Sequence, residues 1–413
     1  MDRHDSTPQP HYHLDPYRRE LDVEVLHVRT PGAGGGDAPG PYALLSDTVC
    51  YPEGGGQPAD RGALGDARVI DVQKGPDGLR HFFEGELEPG PATLRLDWGR
   101  RFDHMQQHTA QHLLTAVAAD RFGWPTTSFH LGAEVCDIEI DASRLSDREL
   151  RALEDAVAAE VRAARPVSDR CVAPSELEDL RVRSRGLPDG HTGEVRLVEI
   201  EGIDLAACGG THLRTTAEIE SVSLLGVEPM RGGLRLRWVA GGRVRRRLGA
   251  HEARNAELRG LLGTEDAELA ATVRFKLQQI RGLEGAGRSR NAELARLYAV
   301  ELAASPDRLV ERHFPGHDVK FLGQVGRALC GPDSDRVAFL TAENDRGGMI
   351  FLAAGGRSGL DLEPVGPEVA AELDGRGGGS AGHFQGKVNR LGRRETALER
   401  VRQAMADESA GGA

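Results

Sequence analysis

Two short segments of the chain carry the residue types of a metal site. The first is Phe102-Asp103-His104-Met105-Gln106-Gln107-His108-Thr109-Ala110-Gln111-His112, and the second is Cys208-Gly209-Gly210-Thr211-His212. His108 and His112 are four apart, so on a helix both imidazoles share one face and reach one point. Thr115 and Ala119 continue that face, whereas Leu113, Leu114 and Val117 point elsewhere and can anchor the helix in a core. Taken singly, two histidines at this spacing are more often incidental, and a cysteine beside a loop histidine is more often packing. Together the segments offer three imidazoles and one thiolate, a ligand set suited to zinc. Gly209 and Gly210 are expected to let the backbone curl so that Cys208 and His212 both face inward.

The ligand set narrows the chemistry without fixing it. Zinc closed by four side chains is normally structural, while catalytic zinc keeps an open position. Catalysis here therefore requires one weak ligand or a fifth one. The His-Glu-x-x-His pattern of zinc proteases would supply a general base, but position 109 is Thr. Peptide hydrolysis of that type is thus disfavoured, and a more reactive ester is the better substrate. Zinc lowers the pKa of bound water to about 7 and can supply a nucleophile. It can equally position an amino group of the substrate while another water attacks, and both readings stand.

An α+β fold is expected to position these residues. Residues 1–20 are polar and read as a disordered tail that includes His4, His11 and His13. Residues 21–98 have short apolar stretches (Val23–Val28, Tyr42–Leu45, Val69–Val72) between Gly and Pro clusters, which predicts a small N-terminal β-barrel. Pro31–Pro41 reads as a Gly-rich loop. An α+β metal-binding domain follows over 99–240. Its first helix should start near Asp103 and end at Gly123. Its second should run from Ser146 to Ala164, with a capping box at Ser146 and Glu149. Strands are expected at Val195–Ile200, Ile219–Val227 and Leu234–Val239. Residues 241–305 read as a helical hairpin broken at Gly285–Gly287. Residues 306–413 read as a small α/β domain with buried strands at Val337–Leu340 and Met349–Ala354, a second Gly-rich loop at Arg376–Gly386, and a closing helix at Val388–Met405.

Composition excludes some classes. At 413 residues with 39% hydrophobic content the chain suits a soluble protein of several domains. No apolar run reaches the roughly 18 to 20 residues that cross a bilayer, so no membrane partner is expected. Five cysteines without a Cys-x-x-Cys pair argue against a disulfide framework and for a reducing cytoplasm. The net charge of −12 argues mildly against a nucleic-acid partner. However, Arg231, Arg235, Arg237, Arg243, Arg245, Arg246 and Arg247 lie in a stretch free of acids. Such a patch can bind phosphates, or be no more than a solvated corner.

The two segments, in this order, resemble the editing domain of alanyl-tRNA synthetase and the free-standing AlaX-type editing proteins. Trp98 to Gln107 is similar to the lead-in of the long AlaX form, Thr127-Ser128-Phe129-His130-Leu131-Gly132 to the segment after its first helix, and Tyr51-Pro52-Glu53-Gly54-Gly55-Gly56-Gln57-Pro58 to the glycine motif of its barrel. The resemblance covers roughly 21–405 and is most specific before residue 240. It implies Zn2+ at His108, His112, Cys208 and His212, and hydrolysis of Ser-tRNA(Ala), with Gly-tRNA(Ala) a second candidate. It also implies a threonine that discriminates serine, for which Thr126 is the candidate and Thr127 the rival. Gln111 is a candidate for orienting substrate or water. Thr126 and Gln111 have ordinary alternatives, as a strand Thr packed by its methyl group and a surface Gln. Gly377 to Gly386 resembles the Gly-rich loop of the DHH-associated domain, which implies tRNA binding or a homodimer through this domain or the hairpin. Only about twenty polar residues precede the barrel, so editing in trans, without charging tRNA, is expected. The competing expectations are a non-catalytic zinc module that binds tRNA, and a deacylase acting on another tRNA such as Ser-tRNA(Thr).

Overall fold

A computed structural model describes residues 9–29, 40–183, 193–345 and 347–411. His4 and nearly all of the loop expected at Pro31–Pro41 lie outside the described residues. The chain divides into two compact units, Met1–Glu257 and Leu258–Ala413.

The first unit opens with a single helical turn, α1 (His11–Leu14), and six strands: β1 (Glu20–Arg29), β2 (Tyr42–Leu45), β3 (Gly62–Leu64), β4 (Ala67–Gly75), β5 (Gly78–Glu84) and β6 (Gly90–Leu96). They close into a barrel in the order β1-β2-β5-β4-β3-β6, as the alternating pattern predicts. β1 alternates exposed and buried positions, and Leu21, Val23 and Val25 fill the interior with Val69, Val72, Phe83 and Leu94.

Residues 9–20 are not a free tail. Tyr12 is buried and meets Tyr51 edge-on, His13 Nε2 donates to the Gly209 carbonyl at 2.8 Å, and Tyr17 Oη bonds Glu218 at 2.6 Å. The segment's two tyrosines supply the apolar area that a polar composition hides, so it folds down as a strap.

Helix α2 (Trp98–Phe122) carries the first motif. It begins six residues before the position expected from Asp103: Asp97 is the cap, accepting from the Arg100 N–H at 3.1 Å. Asp103 lies in the second turn, where its carboxylate is drawn to Arg243 and Arg246 instead. Gly123 ends the helix at φ 70°. Leu113, Leu114 and Val117 are buried in the core formed with β7 (Thr126–Leu131), β8 (Cys136–Ile140) and α3 (Asp147–Arg162). α3 has the capping box read from Ser146 and Glu149. After β9 (Val167–Val172), β10 (Val195–Ile200) and β11 (Asp204–Ala207) come β12 (Val222–Met230) and β13 (Gly233–Ala240). They form a three-stranded sheet, β11-β10-β9, and a four-stranded sheet, β12-β13-β8-β7.

One buried ion pair joins barrel and helix. Arg101 and Asp60 are both fully buried. Arg101 Nε donates to Asp60 Oδ2 at 2.9 Å, and its other nitrogens donate to the carbonyls of Pro16 and Val49.

Two helices follow, α4 (Gly242–Leu262) and α5 (Leu269–Ala303). α5 runs unbroken through Gly285 and Gly287, where a break was expected. Each glycine costs about 1 kcal/mol in a helix, and without proline the ladder of hydrogen bonds stays intact.

The second unit is a five-stranded sheet, β14-β15-β16-β18-β17, built from β14 (Leu309–Pro315), β15 (Val337–Asn344), β16 (Gly347–Ala354), β17 (Gly375–Ser380) and β18 (His383–Val388). Ala338 and Leu340 of β15 face a core with the end of α5 and α6 (Val319–Leu329), while Val337 and Phe339 face α7 (Leu362–Glu372) and α8 (Arg394–Gly411). Burial on both faces explains the continuous apolar runs. The Gly-rich stretch is a β-hairpin rather than a loop. A Cβ at Gly377 or Gly379 would lie 2.0 Å from a carbonyl oxygen of β18, so glycine there permits the close pairing. β17 forms the edge of the sheet, paired on one side with β18. The closing helix starts at Arg394, because Val388 belongs to β18.

Candidate metal centre

The two sequence segments converge. The donor atoms of His108, His112, Cys208 and His212 all lie within 4.8 Å of one another. The ring centroids of the histidines are 4.4 to 5.2 Å apart. Cys208 Sγ is 3.4 Å from His108 Nε2 and 3.3 Å from His212 Nε2. Helix α2 supplies one pair across a single turn. The loop leaving β11 supplies the other.

The three imidazoles are aimed by the groups behind them. His112 Nδ1 donates to Asp204 Oδ2 at 2.9 Å. His108 Nδ1 faces Gln57 Oε1 at 2.9 Å, and His212 Nδ1 meets Thr109 Oγ1 at 3.2 Å. Every Nδ1 is thus occupied, leaving the Nε2 atoms for a metal, an arrangement common among metal-ligating histidines. Thr109, which stands where a zinc protease has its glutamate, also accepts from the Leu213 N–H at 3.1 Å. Its role here is to hold the second motif.

The loop is fixed carbonyl by carbonyl. Arg196 donates to the carbonyls of Cys208 and Gly210 at 2.9 and 2.8 Å, and His13 takes that of Gly209. The two glycines differ in need. A Cβ at Gly210 would sit 2.2 Å from His108 Cε1, whereas one at Gly209 meets nothing within 4 Å. Neither has a positive φ, so Gly210 is required for room beside His108 and not for a curled backbone. Gln57 and Thr109 fall within motifs of the sequence, but their roles, like those of Asp204, Arg196 and His13, are not readable there, because each acts through contacts far along the chain.

Electrostatics favour the metal-binding protonation states of Cys208 and His212, whereas His112 is held protonated and must release its Nε2 proton when a metal binds. Burial raises the cost of ionising Cys208, but the neighbouring imidazoles of His108 and His212 outweigh it and hold the thiol well below its ordinary value. Burial, then the charge of His108, holds His212 down to about 3, so it is neutral at pH 7. For His112 burial opposes charge, yet Asp204 and Cys208 raise its pKa to about 10. A thiolate surrounded by imidazoles, with buried carboxylate support, is the donor chemistry of a zinc ligand set.

Beside the ligands, Gln111 is buried, and its Oε1 has no hydrogen-bond partner. Its Nε2 donates to Thr115 Oγ1 at 2.9 Å, and Thr126 Oγ1 donates to the same hydroxyl at 3.2 Å. Thr127 is exposed and turns to the Glu139 carbonyl at 3.3 Å. A bulge between Thr126 and Ser128 separates the two threonines in orientation.

The arginine patch is largely neutralised. Arg235 pairs with Glu139, Arg237 with Glu228, Arg245 with Glu220, and Arg243 and Arg246 with Asp103. The local sequence has no acid, but the fold brings acids in from β8, β12, α2 and Glu220 just ahead of β12. Arg231 and Arg247 have no acidic partner among the described residues.

No helix among the described residues is long and apolar enough to cross a membrane. Residues 195–236, which contain Cys208 and His212, match the threonyl and alanyl tRNA synthetase second additional domain. The chain is 37% identical to the alanyl-tRNA editing protein Aarsd1 of Danio rerio, with 85% of each chain covered. It is 35% identical to Aarsd1-A of Xenopus laevis over 95% of this chain and 97% of that one. An alanine–tRNA ligase of Aeropyrum pernix is 28% identical over 96% of this chain, which spans 45% of the ligase.

Proposed function

The chain belongs to the alanyl-tRNA editing protein family, and from that premise we propose that it hydrolyses the ester of tRNA(Ala) mischarged with serine, acting in trans at a zinc ion held by His108, His112, Cys208 and His212. The observation that carries this reading is the convergence of four donor atoms within 4.8 Å, with every imidazole aimed through its Nδ1. Zinc, when bound, would supply Lewis acidity beside Thr109, which stands where a zinc protease has its glutamate base. The residues of the chain do the rest. Gln111 Oε1, buried and unpaired, offers an acceptor to a hydroxyl or ammonium group of the aminoacyl moiety. Thr115 and Thr126 extend the polar wall from α2 to β7. An alanyl group has no hydroxyl to return such a bond, so a buried partner stays unpaired and alanine is disfavoured. The orientation of Thr126 toward α2 supports it over Thr127 as the discriminating residue. Glycyl-tRNA(Ala) has no hydroxyl to make that bond and stands as a second candidate substrate on the family resemblance alone.

The second unit is proposed as a DHH-associated-like domain. It and the preceding helices are candidates for tRNA binding and for a homodimer contact. Location in the cytoplasm belongs to the same reading.

The test is hydrolysis of Ser-tRNA(Ala), Ala-tRNA(Ala) and Ser-tRNA(Thr) by the purified full chain. Serine should leave tRNA(Ala) at least about 100-fold faster than alanine does. Thr126→Val should narrow that ratio about tenfold while zinc content stays unchanged. Equal release of serine and alanine would sink the specificity, and faster release from tRNA(Thr) would reassign the substrate. Zinc binding with no release from any of the three would leave a non-catalytic tRNA-binding module.

A further inference from the structure

Gln57 lies on the barrel, yet it is fully buried against the metal centre. It is presented by a tight turn. Gly54 and Gln57 exchange backbone hydrogen bonds of 3.1 and 3.0 Å, and Gly55 and Gly56 between them have φ of 57° and 82°. Two successive positive φ values are the requirement of the tightest hairpin turns, and glycine meets it without strain. Tyr51 Oη ties down the Gly54 carbonyl at 2.9 Å.

The side chain of Gln57 makes three hydrogen bonds. Oε1 accepts from the Thr211 N–H at 3.0 Å and faces His108 Nδ1 at 2.9 Å. Nε2 donates to Thr211 Oγ1 at 2.9 Å. These contacts fix a chain of choices. A backbone N–H can only donate, so the amide atom facing Thr211 must be the oxygen. That same oxygen faces His108 Nδ1, so Nδ1 must carry the proton. In the neutral ring Nε2 is then the lone-pair nitrogen, and it is the one turned toward Cys208 Sγ. The Thr211 amide thus sets the tautomer of His108 through Gln57. One side chain grips both halves of the ligand set, the helix through His108 and the loop through Thr211.

The geometry points to Gln57 as the positioning residue through which the barrel assembles the metal centre: it locks the metal-donating tautomer of His108 and ties it to the Cys208–His212 loop. This rests on the proposal of zinc at those four residues. Asp204 and Thr109 do the corresponding work for His112 and His212 from within the same domain. Only His108 depends on the barrel.

The experiment compares zinc affinity, by competition with a chromophoric chelator, in the full-length wild type, Gln57→Glu and Gln57→Met. Glutamate keeps an acceptor for His108 Nδ1 and for the Thr211 amide, and the Thr211 hydroxyl can turn to donate to it. Methionine fills similar space and bonds none of them. Gln57→Met should lose about 10- to 100-fold in zinc affinity, the usual effect of removing such a partner. Gln57→Glu should stay within about threefold of wild type, the rescue that a purely space-filling role would not produce. The d–d spectrum of the cobalt-substituted protein should change in Gln57→Met and not in Gln57→Glu. Wild-type affinity in Gln57→Met overturns the proposal. So does an equal loss in both variants, which would show that packing and not the acceptor matters. If Gln57→Met does not fold, Gln57→Glu decides alone: retention of zinc supports the role, and loss refutes it. A wild type that binds no zinc would instead refute the metal site itself.

Discussion

Cys208→Ala should remove zinc from the purified protein and lower release of serine from Ser-tRNA(Ala) by on the order of 10³. The thiolate is the one anionic ligand of the proposed set, and the three imidazoles that remain are neutral donors. Removing a partner behind a ligand typically costs 10- to 100-fold in affinity, so loss of a ligand itself costs more. The fold should survive, because the loop loses the Gly210 N–H bond to Cys208 Sγ at 3.4 Å but keeps its other backbone anchors. Arg196 and His13 hold the carbonyls of Cys208, Gly209 and Gly210, and Gln57 and Thr109 hold the amides of Thr211 and Leu213. Metal analysis, single-turnover deacylation and thermal unfolding on one preparation separate the effects. Zinc and activity should fall together while the melting temperature of the metal-free form stays near that of metal-free wild type. Full activity in a zinc-free Cys208→Ala protein is the contradicting outcome.

The largest effect on stability is expected at Asp60. Its carboxylate accepts from Arg101 Nε at 2.9 Å and from the Tyr51 N–H at 2.7 Å, and neither Asp60 nor Arg101 is exposed at all. Asp60→Ala leaves the guanidinium buried with only the carbonyls of Pro16 and Val49 as partners. Breaking one side of such a pair costs about 3–5 kcal/mol, because the charge that remains is uncompensated. For a unit of this size the melting temperature should fall by roughly 10 °C. Removing both charges, as Asp60→Leu with Arg101→Met, should recover most of the loss. Asp60 follows Gln57 by three residues, so the single variant should also loosen the grip on His108. A loss under about 1 kcal/mol for Asp60→Ala would contradict this account of how barrel and helix are joined.

How much of this was legible in the chain follows from the range of each interaction. His108 and His112 are readable because a helix relates neighbours four apart by fixed geometry. The barrel and the helix α3 are readable for the same reason, through alternation and a local capping box. Asp103 misled because a good cap is a local signal, and Asp97 makes the same signal six residues earlier. The arginines from Arg235 to Arg246 looked like a phosphate site because their acids lie on other elements. Gly377 and Gly379 looked like a loop because strand propensity disfavours glycine, whereas here close approach of β18 demands it. Tyr12 and Tyr17 turn a polar lead-in into a strap, since two aromatic side chains can outweigh a hydrophilic average. Gln57 and Thr109 stand inside motifs and Asp204 in none, yet the work of all three is defined only once distant segments meet.

The central claim is that four side chains hold a zinc ion on which editing depends. The most direct measurement is metal analysis of the wild-type protein combined with Ser-tRNA(Ala) hydrolysis before chelation, after chelation and after zinc is returned. The account predicts one zinc per chain, loss of serine release when the metal is stripped, and recovery on its return. Undiminished hydrolysis by the stripped protein would contradict it.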